Sequence, residues 1–279
     1  MQYFQYLGQR LGHYFQSNLR RQVNCLQNHG AAFGGAILFY TRCPLPPSWP
    51  VNLEHIAYLA PWVGAGLGGM LAIADRLFSL LRLPPLTTSG LLLGLWLWST
   101  GGLHLDGAMD TADGLAVPDP ERRLAVMRDS RAGAFGVMSA GLILLLKGGA
   151  IAELETFRGW ALVMATVWGR WGQVLAIARY PYLRPKGKGA MHKTAFQSPQ
   201  DWLWGLVLIL GLVLLQISLA REKYLGILFA AIWGGLLSWG VGEWLGRQLG
   251  GHTGDSYGAV VEWTEAFYLV GVLALSQWV

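Results

Sequence analysis

Three aspartates at helical spacing are the residues of this sequence best suited to chemistry. Asp106, Asp110 and Asp113 are spaced i, i+4, i+7, and on a helix they fall within roughly 60° of one another. Like charges on one face raise each other's pKa, so a cation between them is expected. Such oxygen ligands suit Mg²⁺, Mn²⁺ or Ca²⁺, and Mg²⁺ often accompanies a phosphorylated substrate. The alternative is a solvated acidic helix end.

Two basic segments follow the aspartates. Arg128 and Arg131 flank Asp129 and Ser130, and their guanidinium groups have the geometry to clamp phosphate oxygens. Arg184 belongs to a second basic segment. Taken alone, each segment is better explained as an ordinary basic loop beside a membrane.

A glycine-rich segment, residues 250–259, lies near the end of the sequence. Its glycines allow close backbone approach to a phosphate or a metal. Glu262 and Glu265 follow at the start of an apolar stretch, where a carboxylate is costly without a partner. We expect Asp255 or Glu262 to join the three aspartates. His104 lies on the opposite side of the aspartate helix, where a packing or hydrogen-bonding role is favoured over a catalytic one.

The rest of the sequence indicates an all-α, polytopic membrane protein. Of its 279 residues, 53% are hydrophobic and 13% are charged, whereas a soluble domain carries about 25% charged residues. The apolar residues come in runs long enough to cross a bilayer, about 20 residues each. The net charge of +5 is modest, and no aromatic-basic tract is present. Nucleic acid is therefore excluded as a partner.

The positions of these runs predict about seven transmembrane helices. They cover residues 57–80, 86–104, 134–152, 159–179, 202–220, 224–246 and 262–279. The shorter run 31–40 is interpreted as interfacial or re-entrant. Residues 1–30 are interpreted as an amphipathic arm preceding one membrane domain, residues 31–279. Lys and Arg are concentrated in loops on one side, which predicts that these loops and the N-terminus face the cytoplasm across the cell (inner) membrane.

Four segments, in this order along the chain, resemble the cobalamin synthase family of adenosylcobinamide-GDP ribazoletransferases. They are residues 41–46, 101–114, 127–136, and 250–259 together with Glu262. The resemblance covers about residues 31–279. Ala108-Met109 stands where the family usually has Leu-Ala, and the segment 180–195 departs most from the common pattern. The aspartate spacing is also similar to that of the CDP-alcohol phosphotransferases.

The resemblance implies a membrane transferase that joins adenosylcobinamide-GDP to α-ribazole, or to α-ribazole 5′-phosphate, and releases GMP. This is the last step of nucleotide-loop assembly. It further implies Mg²⁺ as the cofactor and the lipid bilayer as a partner. Together with the spacing arguments it gives the expected site: catalytic Asp106, Asp110, Asp113, Arg128 and Arg131; substrate-binding Arg42, His104, Asp129, Ser130, Arg184, Thr253 and Gly254; metal-binding Asp106, Asp110, Asp113, Asp255 and Glu262.

Two other classes of protein compete with this interpretation. A polytopic cation or metal transporter would also carry acids in its spans, but transporter sites lie near mid-membrane rather than at one face. An assembly scaffold without chemistry would not require three aligned aspartates.

Overall fold

The computed structural model of the protein describes residues 29–129, 131–184 and 188–276. These residues form helices and connecting loops without a β-strand, and a single bridge joins Tyr182 to His252. The predicted all-α class is confirmed. The predicted arm falls mainly on residues 1–28, which lie outside the described residues, as does Ser130.

The helices are numbered in chain order. The first, α1, covers residues 29–40. The others are α2 (Ala60–Leu80, preceded by a 3₁₀ turn Ala57–Leu59), α3 (Pro85–Thr100), α4 (Leu103–Leu115), α5 (Pro120–Val126), α6 (Ala134–Glu153), α7 (Arg158–Arg179), α8 (Lys188–Ala195), α9 (Gln200–Leu219), α10 (Tyr224–Leu249, preceded by the turn Arg221–Lys223) and α11 (Gly254–Ser276).

Within the described chain, six helices are long and apolar enough to cross a membrane. They are Ala57–Leu80, Ala134–Glu153, Arg158–Arg179, Gln200–Leu219, Arg221–Leu249 and Gly254–Ser276. With α3 as a shorter apolar helix of 16 residues, this agrees roughly with the seven predicted spans. The protein is a multi-pass membrane protein.

Two boundaries differ from the predicted spans. The span expected over residues 86–104 ends at Thr100, because Gly101 and Gly102 adopt φ values of +64° and +71° and separate α3 from α4. The last span, expected from residue 262, begins at Gly254. A hydropathy window misses this start, since the first turns of α11 carry polar residues.

Helix α7 is the centre of the bundle and packs against α2, α9, α10 and α11. Glycines let α2 approach it closely, because a Cβ at Gly68 would lie 2.5 Å from the Cα of Val163. The Thr166 hydroxyl donates to the Gly64 carbonyl oxygen over 2.8 Å at the same contact. By contrast, α9 and α10 leave most of their apolar side chains exposed, as expected of surfaces that contact lipid.

A four-residue ion cluster joins α6, α7 and α11 inside the bundle. The Lys147 ammonium donates to Glu262 over 2.6 Å and to Glu265 over 2.5 Å. The Arg170 guanidinium pairs with the other oxygen of Glu265 over 2.7 Å. All four side chains are buried, so each charge depends on the others for compensation. The sequence analysis expected a partner for the glutamates but did not identify these cations.

Candidate active site

The α3–α4 break presents the aspartate helix at one end of the bundle. Arg42 lies over it: its backbone N–H donates to the Ser99 carbonyl oxygen over 2.7 Å. A Cβ at Gly101 would lie 2.8 Å from the Arg42 Nε atom. The glycine therefore provides both the left-handed backbone and the space for the guanidinium group. Arg42 itself is exposed and lines an open groove together with Asp106.

Helices α4 and α11 touch through glycines, and this contact brings Asp255 to the aspartate helix. A Cβ at Gly107 would lie 2.6 Å from the Asp255 carbonyl oxygen. A Cβ at Gly258 would lie 2.7 Å from the carbonyl oxygen of His104. Only hydrogen at both positions permits this approach. The two most specific segments of the sequence, 101–114 and 250–259, are thus one site.

The three aspartates of α4 differ in their surroundings. Asp106 is exposed, whereas Asp110 and Asp113 are half-buried. Burial, followed by the repulsion of Asp106 and Asp255, raises the pKa of Asp110 to about 6. Asp113 accepts hydrogen bonds from the backbone N–H groups of Gly133 and Gly136, both at 2.8 Å. It therefore fixes the start of α6 to the end of α4.

The N-terminus of α11 is held by a pair of reciprocal hydrogen bonds. The Thr253 N–H donates to the Ser256 hydroxyl over 2.8 Å, and the Ser256 N–H donates to the Thr253 hydroxyl over 3.2 Å. His252 is fully buried, with its ring nitrogens on the Ser256 hydroxyl and the Gly242 carbonyl oxygen. Burial lowers the pKa of His252 to about 4. The neutral imidazole orients the turn that carries Gly254 and Asp255.

Arg184 is the basic residue that the structure places in direct contact with the acids. Its guanidinium pairs with Asp255 over 2.7 Å and donates to the Met127 carbonyl oxygen over 3.2 Å. It thereby ties the second basic segment to α11 and to the loop after α5. The segment 180–195 was expected to depart most from the resemblance, yet this side chain reaches the centre of the site.

The first basic segment has a different setting. Arg128 and Arg131 are exposed, and Arg131 binds Asp129 through several hydrogen bonds, the shortest 2.7 Å. These bonds lower the pKa of Asp129 to about 2. The segment adjoins the site because Asp113 holds Gly133.

Glu262 is located away from the place that the sequence analysis gave it. Its carboxylate binds Lys147 and is 5% exposed, because a carboxylate within the bundle requires a counter-charge. Across residues 29–129, 131–184 and 188–276, no three carboxylate, imidazole or thiolate groups are already gathered around one point that could hold an ion.

The acidic donor set nevertheless fits a divalent cation. The oxygens of Asp106, Asp110, Asp113 and Asp255 are hard ligands, and the first two side chains have room to rotate. Burial and, after it, the repulsion of Asp106 and Asp255 raise the pKa of Asp110. Within the described residues Arg184 is the cation that pairs with this group. A bound cation would compensate part of the remaining negative charge of these four carboxylates.

A cavity of ≈ 260 Å³ lies beside these acids. Asp106, Arg184, Asp255 and His104 are among the residues that line it. The other polar and aromatic lining residues were not among the site residues expected from the sequence: Phe39, Tyr40, Gln173, Tyr182, His192 and Tyr257.

The family model described as cobalamin-5-phosphate synthase matches residues 32–273. The chain belongs to this family. The match includes both halves of the α4–α11 contact as well as the segment around Arg184. Family membership thus extends over nearly all of the helical bundle rather than over one motif.

Relatives of this family member support the same assignment. The adenosylcobinamide-GDP ribazoletransferase of Synechocystis sp. is 51% identical over 246 residues, which are 87% of this chain and 94% of the relative. The adenosylcobinamide-GDP ribazoletransferase of Thermosynechococcus vestitus is 54% identical over 237 residues, 85% of this chain and 93% of the relative. That of Trichormus variabilis is 50% identical over 234 residues, 84% and 93% of the two chains. No solved structure matches the chain.

Proposed function

We propose that this protein is an enzyme of the membrane that joins adenosylcobinamide-GDP to α-ribazole, or to α-ribazole 5′-phosphate, with release of GMP. The ribose hydroxyl oxygen attacks the corrinoid-side phosphorus, and the bond from that phosphorus to GMP breaks. The names of relatives about half identical over most of the chain support this activity. The structural observation that carries it is the contact of α4 with α11, which brings Asp255 to the aspartates beside Arg184.

Mg²⁺ is the proposed cofactor, held by Asp106 and Asp110 with Asp255 and Asp113. When bound, it would neutralise the diphosphate and polarise the phosphorus. We leave Glu262 out of this set, because its charge is already compensated by Lys147.

The chain's own residues divide the remaining work. Arg42 lies exposed in the groove next to Asp106 and is placed to bind a diphosphate oxygen. Arg184 holds Asp255 and limits the repulsion among the acids. A carboxylate not fully committed to metal accepts the proton of the attacking hydroxyl. Asp106 is the best placed for this with the carboxylate oxygen that would not bind the metal, because its side chain lines both the groove and the cavity.

Arg128 and Arg131 are proposed to bind the departing GMP. Both are exposed beside the start of α6, and a guanidinium fork suits phosphate oxygens. Binding of the nucleotide would require Arg131 to exchange Asp129 for phosphate, which is inexpensive for an exposed ion pair. Gly254 contributes the exposed edge of the α11 turn, whereas Thr253 is fully buried and supports the site by capping this helix.

We further propose that the site faces the cytoplasm across the cell membrane. The support is the excess of Lys and Arg in the loops that share its side. A carrier is disfavoured, because the acids lie at one end of the bundle and the charges deep inside it pair with one another.

Product formation by purified protein tests the proposal. The protein in detergent or liposomes is given adenosylcobinamide-GDP, α-ribazole and Mg²⁺, and corrinoid product and GMP are quantified by liquid chromatography. We expect equimolar corrinoid product and GMP, dependent on both substrates. Uptake of substrate by sealed liposomes without GMP release would instead indicate a carrier.

A further inference from the structure

The cavity beside the aspartates contains an unusual set of polar atoms. Both ring nitrogens of His104 and of His192, the hydroxyl of Tyr257 and the Oε1 atom of Gln173 are buried without a hydrogen-bond partner in the described chain. The four side chains are between 3% and 4% exposed. All four line this one cavity.

Such a concentration of unpartnered groups calls for a ligand. The large majority of buried side-chain polar atoms in proteins have a hydrogen-bond partner, and each exception requires an explanation. Here the exceptions come from α4, α7, α8 and α11 and meet at one place, so a local packing fault in one helix does not account for them. A bound molecule that both donates and accepts hydrogen bonds would satisfy them.

The chemistry of the lining defines the class of that molecule. The unpartnered groups are imidazoles, a phenol, an amide and the Nε atom of Arg184. Burial lowers the pKa of His192 to about 4, which makes it neutral near pH 7. The positive charge of Arg184 is already compensated by Asp255, which its terminal nitrogen binds over 2.7 Å, so its Nε needs only a neutral acceptor. An uncharged ligand with hydroxyl groups therefore fits better than an anion.

Aromatic rings complete the lining. The rings of Tyr182 and Tyr257 are stacked with centroids 6.0 Å apart, and Tyr40 stacks on His104 at 6.1 Å. Phe39 meets His192 edge to face at 4.7 Å. A flat, largely apolar ring system packs favourably against such aromatic rings, either stacked or edge to face. Hydroxyls together with a flat ring system describe a riboside.

We infer that this cavity binds the riboside acceptor, while the charged donor occupies the open groove beside Arg42. The inference rests on the proposed function. Asp106 lines both spaces, so a phosphorus held at this residue would have the acceptor on one side and the groove on the other. In-line displacement requires the attacking and leaving oxygens to lie on opposite sides of the phosphorus.

The guanosine part of the donor is also a riboside, so the experiment must distinguish binding of α-ribazole in this cavity from binding of guanosine. Tyr257→Phe removes one unpartnered hydroxyl and keeps the ring, so folding should be retained. His192→Phe removes both ring nitrogens and keeps the edge-to-face contact with Phe39. The matched control is Tyr268→Phe, which removes a hydroxyl from a buried tyrosine of the same helix that does not line this cavity.

The first readout is steady-state kinetics. We expect Tyr257→Phe and His192→Phe to raise the KM for α-ribazole about 10-fold, the loss of roughly one hydrogen bond. The KM for adenosylcobinamide-GDP should stay within about twofold, and Tyr268→Phe should change neither. A rise in the donor KM instead would assign the cavity to guanosine and overturn the inference, and so would two unchanged KM values.

The second readout does not depend on turnover. Thermal unfolding of the detergent-solubilised protein is followed with α-ribazole or guanosine alone, without Mg²⁺ or donor. We expect α-ribazole to raise the Tm of wild type and of Tyr268→Phe, and to raise it less in the two cavity variants. Absence of any shift in wild type, or an equal shift in the cavity variants, overturns the inference. A Tyr257-dependent shift in protein that makes no product supports the cavity assignment and refutes the proposed function alone.

Discussion

Gly107 of α4 lies against the backbone of Asp255 in α11, so closely that a Cβ at residue 107 would lie 2.6 Å from the Asp255 carbonyl oxygen. This one contact decides how far Asp255 stands from the aspartates. Its neighbour contact, Gly258 against His104, repeats the arrangement one turn along α11.

Gly107→Ala should therefore separate the two helices and reduce transfer. We expect a loss of at least about tenfold in kcat, with a destabilisation of about 1–3 kcal/mol from overpacking. Turnover and the thermal stability of the detergent-solubilised protein are measured in parallel. The control is Gly141→Ala in α6, where the added Cβ meets open space. Equal activity in both variants would show that the α4–α11 distance does not matter for transfer.

Asp106→Asn and Asp110→Asn should each lower transfer by roughly 10²-fold, if each carboxylate stabilises the transition state by about 3 kcal/mol. The double variant should be little worse than either single variant, because one missing ligand already disables a metal site. Turnover is measured against Mg²⁺ concentration in membranes. Glu155→Gln, an exposed acid just beyond the opposite end of α6, serves as control. If the single variants keep wild-type turnover at low Mg²⁺, the aspartates do not bind a catalytic metal and form only a solvated acidic helix end.

The raised pKa of Asp110 predicts how pH affects metal binding. Since folding favours its protonated form, this contribution to stability is present at low pH and is lost as the pH rises through about 6. A metal ligand must be ionised, so protons compete with the cation below this value. Stabilisation by Mn²⁺ or Mg²⁺, measured as a change in Tm, should be small near about pH 5 and reach a plateau above about pH 7.

Asp110→Asn provides the control for this pH dependence. It removes the titrating group, so the remaining metal-induced Tm change should be small and nearly independent of pH. A wild-type response that is flat between these pH values would contradict a role for Asp110 as a ligand.

The buried ion cluster predicts a strong coupling between α6 and α11. Lys147→Met leaves Glu262 and Glu265 with fewer counter-charges and should destabilise the protein by about 3–5 kcal/mol, as expected for one broken partner of a buried pair. Adding Glu262→Gln should recover part of this loss, because the uncompensated charge is removed. A double-mutant cycle by thermal or denaturant unfolding measures the coupling. Purely additive effects would contradict the contact.

Topology can be tested with single cysteines in a background that has Cys25 and Cys43 replaced by serine. The exposed positions Glu121 and Gln248 should be labelled from the cytoplasmic side, and Glu222, at the other end of α10, from the opposite side. A membrane-impermeant maleimide applied to intact cells and to inverted vesicles distinguishes the sides. If cysteines at positions 121 and 248 are labelled from different sides, the segments 101–114 and 250–259 cannot form one site.

The parts of the site that follow from local periodicity could be predicted from the sequence. The common face of Asp106, Asp110 and Asp113 depends only on the helical repeat. The seven predicted spans put residues 105–133 and 247–261 on the same side of the membrane, and this is why Asp255 was expected to join the aspartates. The early start of α11 was also within reach, since Thr253 and Ser256 form a helix-capping pair.

Other parts depend on packing between distant segments and leave no local signal. Gln173 lies in the middle of an apolar run, and His192 lies in a basic segment that taken alone resembles an ordinary loop. Their meeting in one cavity follows from how α7, α8 and α11 pack. The pairing of Glu262 with Lys147 is of the same kind, because 115 residues separate the two positions. The sequence alone does not distinguish a glutamate that pairs with a distant lysine from a glutamate that binds a metal ion.

The ion cluster also constrains how the protein is made. Lys147 and Arg170 enter the membrane with α6 and α7, whereas the carboxylates that pair with them belong to α11, the last of these helices to leave the ribosome. Until α11 arrives, two cations stand inside the bundle without these counter-ions, at a considerable cost in free energy. The charges of α6 and α7 are therefore compensated only when α11 is in place, and the same helix carries Asp255 to the site.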